Sequence, residues 1–264
     1  MLRSVFGKTL RDQRRWLLGW AIVVAAVGVL YASFWPLMVT PEMKAAMDAF
    51  PPALLEALNF TDIATAAGYV GSTTFGLLGP ALTIVFAAAV GGSAIAGEEE
   101  SGRLDLILAH PVSRWSVALQ RFAAIVVQMA VVGTILALAL IAISGPAQLD
   151  EIGPANLAAA SFHLAVFGIF FAALALGVGA ATGKRSLVYA AVALVAIGGF
   201  LANNLAPLVD EIAFLRDFSP FHFYQGGEPL KNGLQAADLG VLVAASLVLV
   251  GLGGLVFHRR DIAV

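Results

Sequence analysis

The chain has 264 residues, 60% of them hydrophobic and 12% charged, and a mean hydropathy of +0.90, which excludes an ordinary soluble domain. Its net charge of −2 gives no electrostatic case for a nucleic-acid partner, and the absence of cysteine excludes disulfides and thiolate metal sites. What remains is an all-α, polytopic membrane protein.

A helix needs ~20 predominantly apolar residues to cross ~30 Å of hydrocarbon. Six stretches qualify, at about 16–39, 69–96, 115–143, 155–182, 186–206 and 236–257, so the chain reads as a single transmembrane domain over 1–264. No cleavable signal peptide is expected, because the first apolar run is too long and lacks a small-residue cleavage site after it.

In chain order, residues 1–15 put Leu2, Val5, Phe6, Thr9 and Leu10 on one face and cations on the other. That is the pattern of a helix lying in the interface plane, apolar face in the acyl boundary and basic face toward anionic lipid. Between the first two spans, over 40–66, Thr40 can cap a helix starting at Pro41, and a second can start at Pro52 with Leu54, Leu55 and Leu58 on one side. The second span contains Pro80, which a membrane helix tolerates when neighbours satisfy the freed backbone.

The segment between spans two and three, 98–114, is the most informative. Glu98, Glu99 and Glu100 follow Gly97, where a span must end and an aqueous segment begin. Leu104, Ile107 and Leu108 then recur at helical spacing, with Arg103 and Asp105 between them, until Pro111 stops the pattern. This predicts a short amphipathic helix at the membrane surface, with the glutamates favourably placed at a helix N-terminus. Ser113 can cap the third span.

Span four ends Gly179-Ala-Ala-Thr-Gly183, a small-xxx-small spacing that suits close helix approach. Gly183-Lys184 is not a phosphate loop, since that loop needs glycine where Val178 stands and Ser or Thr where Arg185 stands. The loop at 207–235, with aromatics and turn formers from Phe218 to Leu230, reads as an exterior segment half-sunk in the interface. Its His222 has no second His or Cys nearby and reads as structural. No Asp, Glu, Lys or Arg occupies the middle of a span, and Gln128, His163, Asn203 and Asn204 are the main polar intrusions. Mid-membrane charges mark ion and proton pathways, so any transport is expected to be powered from outside this chain.

Orientation follows from the cations, because Lys and Arg are retained on the cytoplasmic side. They cluster before span one, between spans two and three, after span four and after span six; Lys44, Arg216 and Lys231 alone fall in the alternate set. Both termini and the 98–114 segment are therefore expected in the cytoplasm of a plasma-membrane protein.

The stretch Ile95-Ala-Gly-Glu-Glu-Glu-Ser-Gly-Arg-Leu-Asp-Leu-Ile-Leu-Ala-His-Pro-Val-Ser-Arg-Trp115 resembles the region between spans two and three of bacterial type-2 ATP-binding-cassette (ABC-2 type) permeases. That family's pattern, Glu-x-x-x-Gly, then Leu and two hydrophobics, then Pro-hydrophobic-Ser-Arg, falls on Glu98 or Glu99, Gly102, Leu104, Leu106, Ile107, Leu108, Pro111, Ser113 and Arg114. The basic N-terminus, the six spans, the Ser-Pro-Phe-His-Phe-Tyr loop and the Phe257-His-Arg-Arg-Asp-Ile ending extend the likeness over the whole chain, although only the central stretch is specific. The resemblance implies a coupling helix at 98–114 that docks into a separate ATPase, an elbow helix at 1–15, and assembly with a second permease copy or paralogue. It also implies export of a hydrophobic or amphipathic substrate, with no catalytic, metal or cofactor site in this chain and with ATP and Mg in the partner ATPase. Two other classes fit six spans. A secondary transporter would need a mid-membrane coupling-ion site, for which the spans offer no carboxylate, and an intramembrane hydrolase would need Ser72 and His163 at one depth without a Gly-x-Ser-x-Gly elbow.

The cation distribution makes a topological prediction for this cysteine-free chain. Single cysteines at Glu100 and Arg260 should resist an impermeant maleimide in intact cells, whereas those at Asp48 and Glu228 should be labelled. Strong labelling at 100 with none at 48 would invert the orientation.

Overall fold

The computed structural model describes residues 4–40, 51, 65–109 and 112–260. Leu2, Pro111 and the helices expected at Pro41 and Pro52 lie outside them. Six helices are long and apolar enough to cross a membrane, Val5–Met38, Ala66–Glu100, Arg114–Ile143, Pro154–Thr182, Arg185–Leu208 and Ala236–Arg259, numbered here as spans 1 to 6. They match the six expected from hydropathy, and no strand occurs among the described residues.

Span 4 is the core. It packs against spans 2, 3, 5 and 6, and 78% of its most apolar window is buried, against 11% for span 5. Glycines set the approach distances. A methyl group built on Gly91 of span 2 would sit 2.6 Å from the Ala172 carbonyl oxygen, and one on Gly133 of span 3 would sit 2.8 Å from that of Ser161. Between spans 4 and 6 backbone meets backbone, because a methyl on Gly253 would come within 2.5 Å of the Gly177 Cα. Of the small-xxx-small pair, Gly179 packs against span 2, where a Cβ would meet that of Ala96 at 3.4 Å. Gly183 serves a different purpose: at φ +70° it ends span 4 in the left-handed conformation that glycine adopts without a Cβ clash.

Span 1 corrects the expectation of a separate elbow. Ser4 caps a single helix from Val5 to Ser33, its Oγ accepting from the Gly7 amide, and the basic turns run straight on into the apolar ones. Leu10 to Trp16 holds neither Gly nor Pro, so nothing there breaks the helix. These first turns lie along span 3, where the Phe6 amide donates to Gln120 Oε1 at 3.1 Å and Gln128 Nε2 donates to Gln13 Oε1 at 2.8 Å.

Span 2 is irregular. Its helix widens into π-helical turns at Gly71–Leu78, just before Pro80, and again at Ser93–Gly97. Proline lacks an amide hydrogen and clashes with the carbonyl one turn earlier, which the wider turn accommodates. The freed carbonyls are satisfied from the 207–235 segment: Tyr224 donates its hydroxyl to Phe75 O at 2.9 Å and Gln225 Nε2 reaches Gly71 O at 3.3 Å. This segment is thus no half-sunk loop at its centre. Helix Pro220–Gln225 buries Phe221 and Tyr224 against Phe167 of span 4, with ring centroids at 4.9 and 4.6 Å. His163 of span 4 accepts the Gln235 amide on Nε2 at 3.1 Å, so its Nδ1 carries the proton and donates to Tyr224 O at 3.1 Å.

The Gly177–Gly253 contact gives a stability test. Gly253→Ala should cost about 1–3 kcal/mol, because the atom it meets belongs to a backbone that cannot yield as a side chain would. Gly251→Ala, with nothing within 4 Å, should stay within about 0.5 kcal/mol of the parent in the same detergent-unfolding titration.

Candidate coupling site

The three consecutive glutamates at the end of span 2 each reach a different helix. Successive helical residues point ~100° apart, so carboxylates at i, i+1 and i+2 radiate toward three neighbours. Glu98 Oε1 accepts from Arg121 Nη2 of span 3 at 3.3 Å, and its Oε2 accepts from Arg103 Nε at 3.0 Å. Glu99 pairs with Arg260, just past span 6. Glu100 accepts from Arg185 at the start of span 5 through both its backbone amide and its Nε, each at 2.8 Å. Gly183 completes the cluster from span 4, since a Cβ there would overlap Glu99 and Arg260.

The glutamates do not start the surface helix. Gly97 has helical φ −68°, so span 2 continues through it, and the chain breaks instead at Gly102, with φ +68°. Three carboxylates thus sit at a helix C-terminus, where the macrodipole is unfavourable to them. The arginines supply the offsetting charge.

The helix Arg103–Leu108 follows the break and lies outside the spans. Its faces differ from those expected. Leu104 is only 1% exposed and belongs to the core, Leu106 is 69% exposed, Asp105 is exposed and Ile107 is half-buried. Of Leu108 only the backbone is described. The Arg103 side chain is 65% exposed even while paired with Glu98. Ser113 caps span 3, its Oγ accepting from the Ser116 amide at 3.1 Å. Arg114 turns inward and donates to the Phe257 carbonyl at 3.0 Å and to that of Arg260, with its guanidinium 5.6 Å above the Phe257 ring. Of the N-terminal residues, Val5, Phe6 and Leu10 are half-buried and Thr9 is buried.

This end of the molecule therefore holds the described starts and finishes of the chain, the exposed short helix, and an ion-pair lattice linking that helix to spans 2, 3, 5 and 6. Sequence reasoning passed over Arg121, Arg185 and Arg260 as cations of orientation only, and its apolar stripe of Leu104, Ile107 and Leu108 includes a core residue, Leu104, and leaves out the exposed Leu106. Among the described residues, no group of three or more His, Asp and Glu side chains is placed to hold a metal ion. The ion pairs fasten a surface element to several helices.

The pairs differ in burial, and so should their contributions. The Glu99 and Arg260 side chains are 8% and 20% exposed, so Glu99→Gln, which strands the arginine, should lower unfolding stability by about 2–3 kcal/mol. Glu100→Gln, in a pair at 38% and 44% exposure, should change it much less, as solvent screens that interaction. Denaturant titration of both variants in one detergent measures the difference.

No curated protein matches the chain. The family model described as "ABC-2 family transporter protein" matches residues 3–262, spanning all six helices and the glutamate cluster. The chain belongs to the ABC-2 family of transporter proteins and is a multi-pass membrane permease of an ABC transporter.

Proposed function

We propose that this permease subunit works as a half-transporter, two copies or one copy with a paralogue assembling with two separate ATPase subunits, and that it exports a hydrophobic or amphipathic substrate across a bacterial plasma membrane. The observation that carries this reading is the helix Arg103–Leu108, which stands outside the spans with Leu106 69% exposed and Arg103 and Asp105 beside it. An apolar anchor ringed by charges is how protein interfaces concentrate their binding energy. The cation bias supports a cytoplasmic position for this end and both termini, the side on which an ATPase would dock.

In this mechanism ATP binds and is hydrolysed with Mg in the partner, and closure of the two ATPase subunits pushes on the short helix. The push reaches span 2 through Gly102 and span 3 through the Glu98 bridge from Arg103 to Arg121. It reaches spans 5 and 6 through Glu100–Arg185 and Glu99–Arg260. Glu98, Glu99 and Glu100 serve here as transmission elements, with partner contact left to Arg103, Asp105, Leu106 and Ile107. Spans 1, 2 and 5 face the substrate path.

Leu106→Ala should weaken association with the ATPase by on the order of 2 kcal/mol, a ~30-fold loss of affinity, while leaving insertion and protein level unchanged. Leu104→Ala, a cavity in the core, should instead lower stability in the isolated permease. Co-purification with the ATPase, paired with an unfolding titration, separates the two effects. Wild-type affinity in Leu106→Ala places the docking surface elsewhere.

A further inference from the structure

A cavity of about 680 Å³ opens at the glutamate end, between the first turns of span 1, the start of span 3 and the helix Arg103–Leu108. Its charged lining consists of Lys8, Arg103, Arg121 and Arg185 against Asp12 and Glu98; with Arg185 held by Glu100 just outside the lining, a smaller excess of cations remains, carried by Lys8, Arg103 and Arg121. Arg121 is the unusual member. It is 6% exposed and donates to Glu98 through Nη2, yet its Nε is buried without a hydrogen-bond partner. Glu98 is already shared with Arg103. One carboxylate facing two guanidiniums, each with five N–H donors, leaves donor capacity for an anion with several acceptor oxygens.

The same face of span 1 continues into an apolar groove. Val5, Lys8 and Asp12 line the cavity, and Trp16, Gly19 and Val23 line an open hollow of about 520 Å³ that also touches Leu82 of span 2. These positions recur at three- and four-residue intervals and so form one stripe on the helix. From Asp12 to Val23 the stripe runs ~16 Å, close to half of a ~30 Å hydrocarbon core. Trp16 and Trp20 stack beside it with centroids 6.3 Å apart. A cationic cavity at a span end, followed along the same helix face by an apolar groove one leaflet deep, has the chemistry of a phospholipid, phosphate at one end and acyl chain along the other.

We propose that this face of span 1 binds one anionic phospholipid from the leaflet at the glutamate end, with its phosphate between Lys8 and Arg121 and one acyl chain along Trp16, Gly19 and Val23. A free phosphate satisfies the cations equally but has no use for the groove, which is why the groove decides for the lipid. The bound headgroup bridges span 1 to the Glu98 ion pairs, so lipid occupancy stiffens the connection between the short helix and the bundle. The inference does not rest on an ATPase partner or on transport.

The test is native mass spectrometry of the full chain in detergent, titrated with phosphatidylglycerol or phosphatidylcholine, with inorganic phosphate as competitor. One phosphatidylglycerol should bind per chain about 10-fold more tightly than phosphatidylcholine, as one or two extra cation contacts at a membrane surface give. Lys8→Gln, at an exposed position, should remove most of that preference. Gly19→Leu, whose Cβ would meet nothing within 4 Å at a position that lines the groove, should weaken both lipids. Arg121→Gln also breaks the Glu98 pair, so the decision rests on the other two variants, each checked for an unchanged unfolding midpoint. Equal binding of the two lipids, or a silent Gly19→Leu, overturns the proposal. Displacement of the lipid by inorganic phosphate with Gly19→Leu silent would identify free phosphate as the occupant.

Discussion

The structure depends on charge placed where a helix does not favour it. Three carboxylates at the C-terminal end of span 2 face the negative pole of their own helix, and two of them, Glu98 and Glu99, have limited access to water. The arrangement is stable only with cations brought to it, and those cations arrive from spans 3, 5 and 6. Each span is also selected individually, because Glu98, Glu99 and Glu100 point in different directions. The spans are thereby ordered around span 2 at one end.

Packing is carried by span 4 and by absence of side chains. Where Gly177 meets Gly253, and where Gly91 and Gly133 face span 4 carbonyls, the helices approach to distances that no Cβ would allow. Lipid tails are as apolar as leucine, so close van der Waals contact is a principal source of attraction left between helices in a membrane. The far end is closed differently. Tyr224, Gln225 and His163 satisfy backbone groups that Pro80, the π-helical turns of span 2 and the entry to span 6 leave open. One end is held by ion pairs, the other by hydrogen bonds and stacked rings.

Much of this was legible in the sequence. Hydropathy located all six spans, since membrane burial imposes the same length on each, and Ser113 was visible as a cap because its side chain competes for a free amide. Three charges after Gly97 mark the end of a span by composition, yet the chain stays helical through them and breaks at Gly102. Leu104, Ile107 and Leu108 satisfy helical spacing without Leu106, and spacing does not say which face meets the bundle. The partners of the glutamates were hidden for another reason: Arg121, Arg185 and Arg260 lie 23, 85 and 161 residues away, and single-chain periodicity carries no information about such pairs. The continuous N-terminal helix was misread because an amphipathic stripe fits a neighbouring span as well as it fits a lipid surface.

The fan of glutamates constrains how the gene can change length. Between Ser93 and Glu100 one inserted or deleted codon turns everything beyond it by ~100°. Each carboxylate would then face the cation of its neighbour, and one would face none. Related chains should therefore preserve the residue count from the second π-helical turn to the last glutamate.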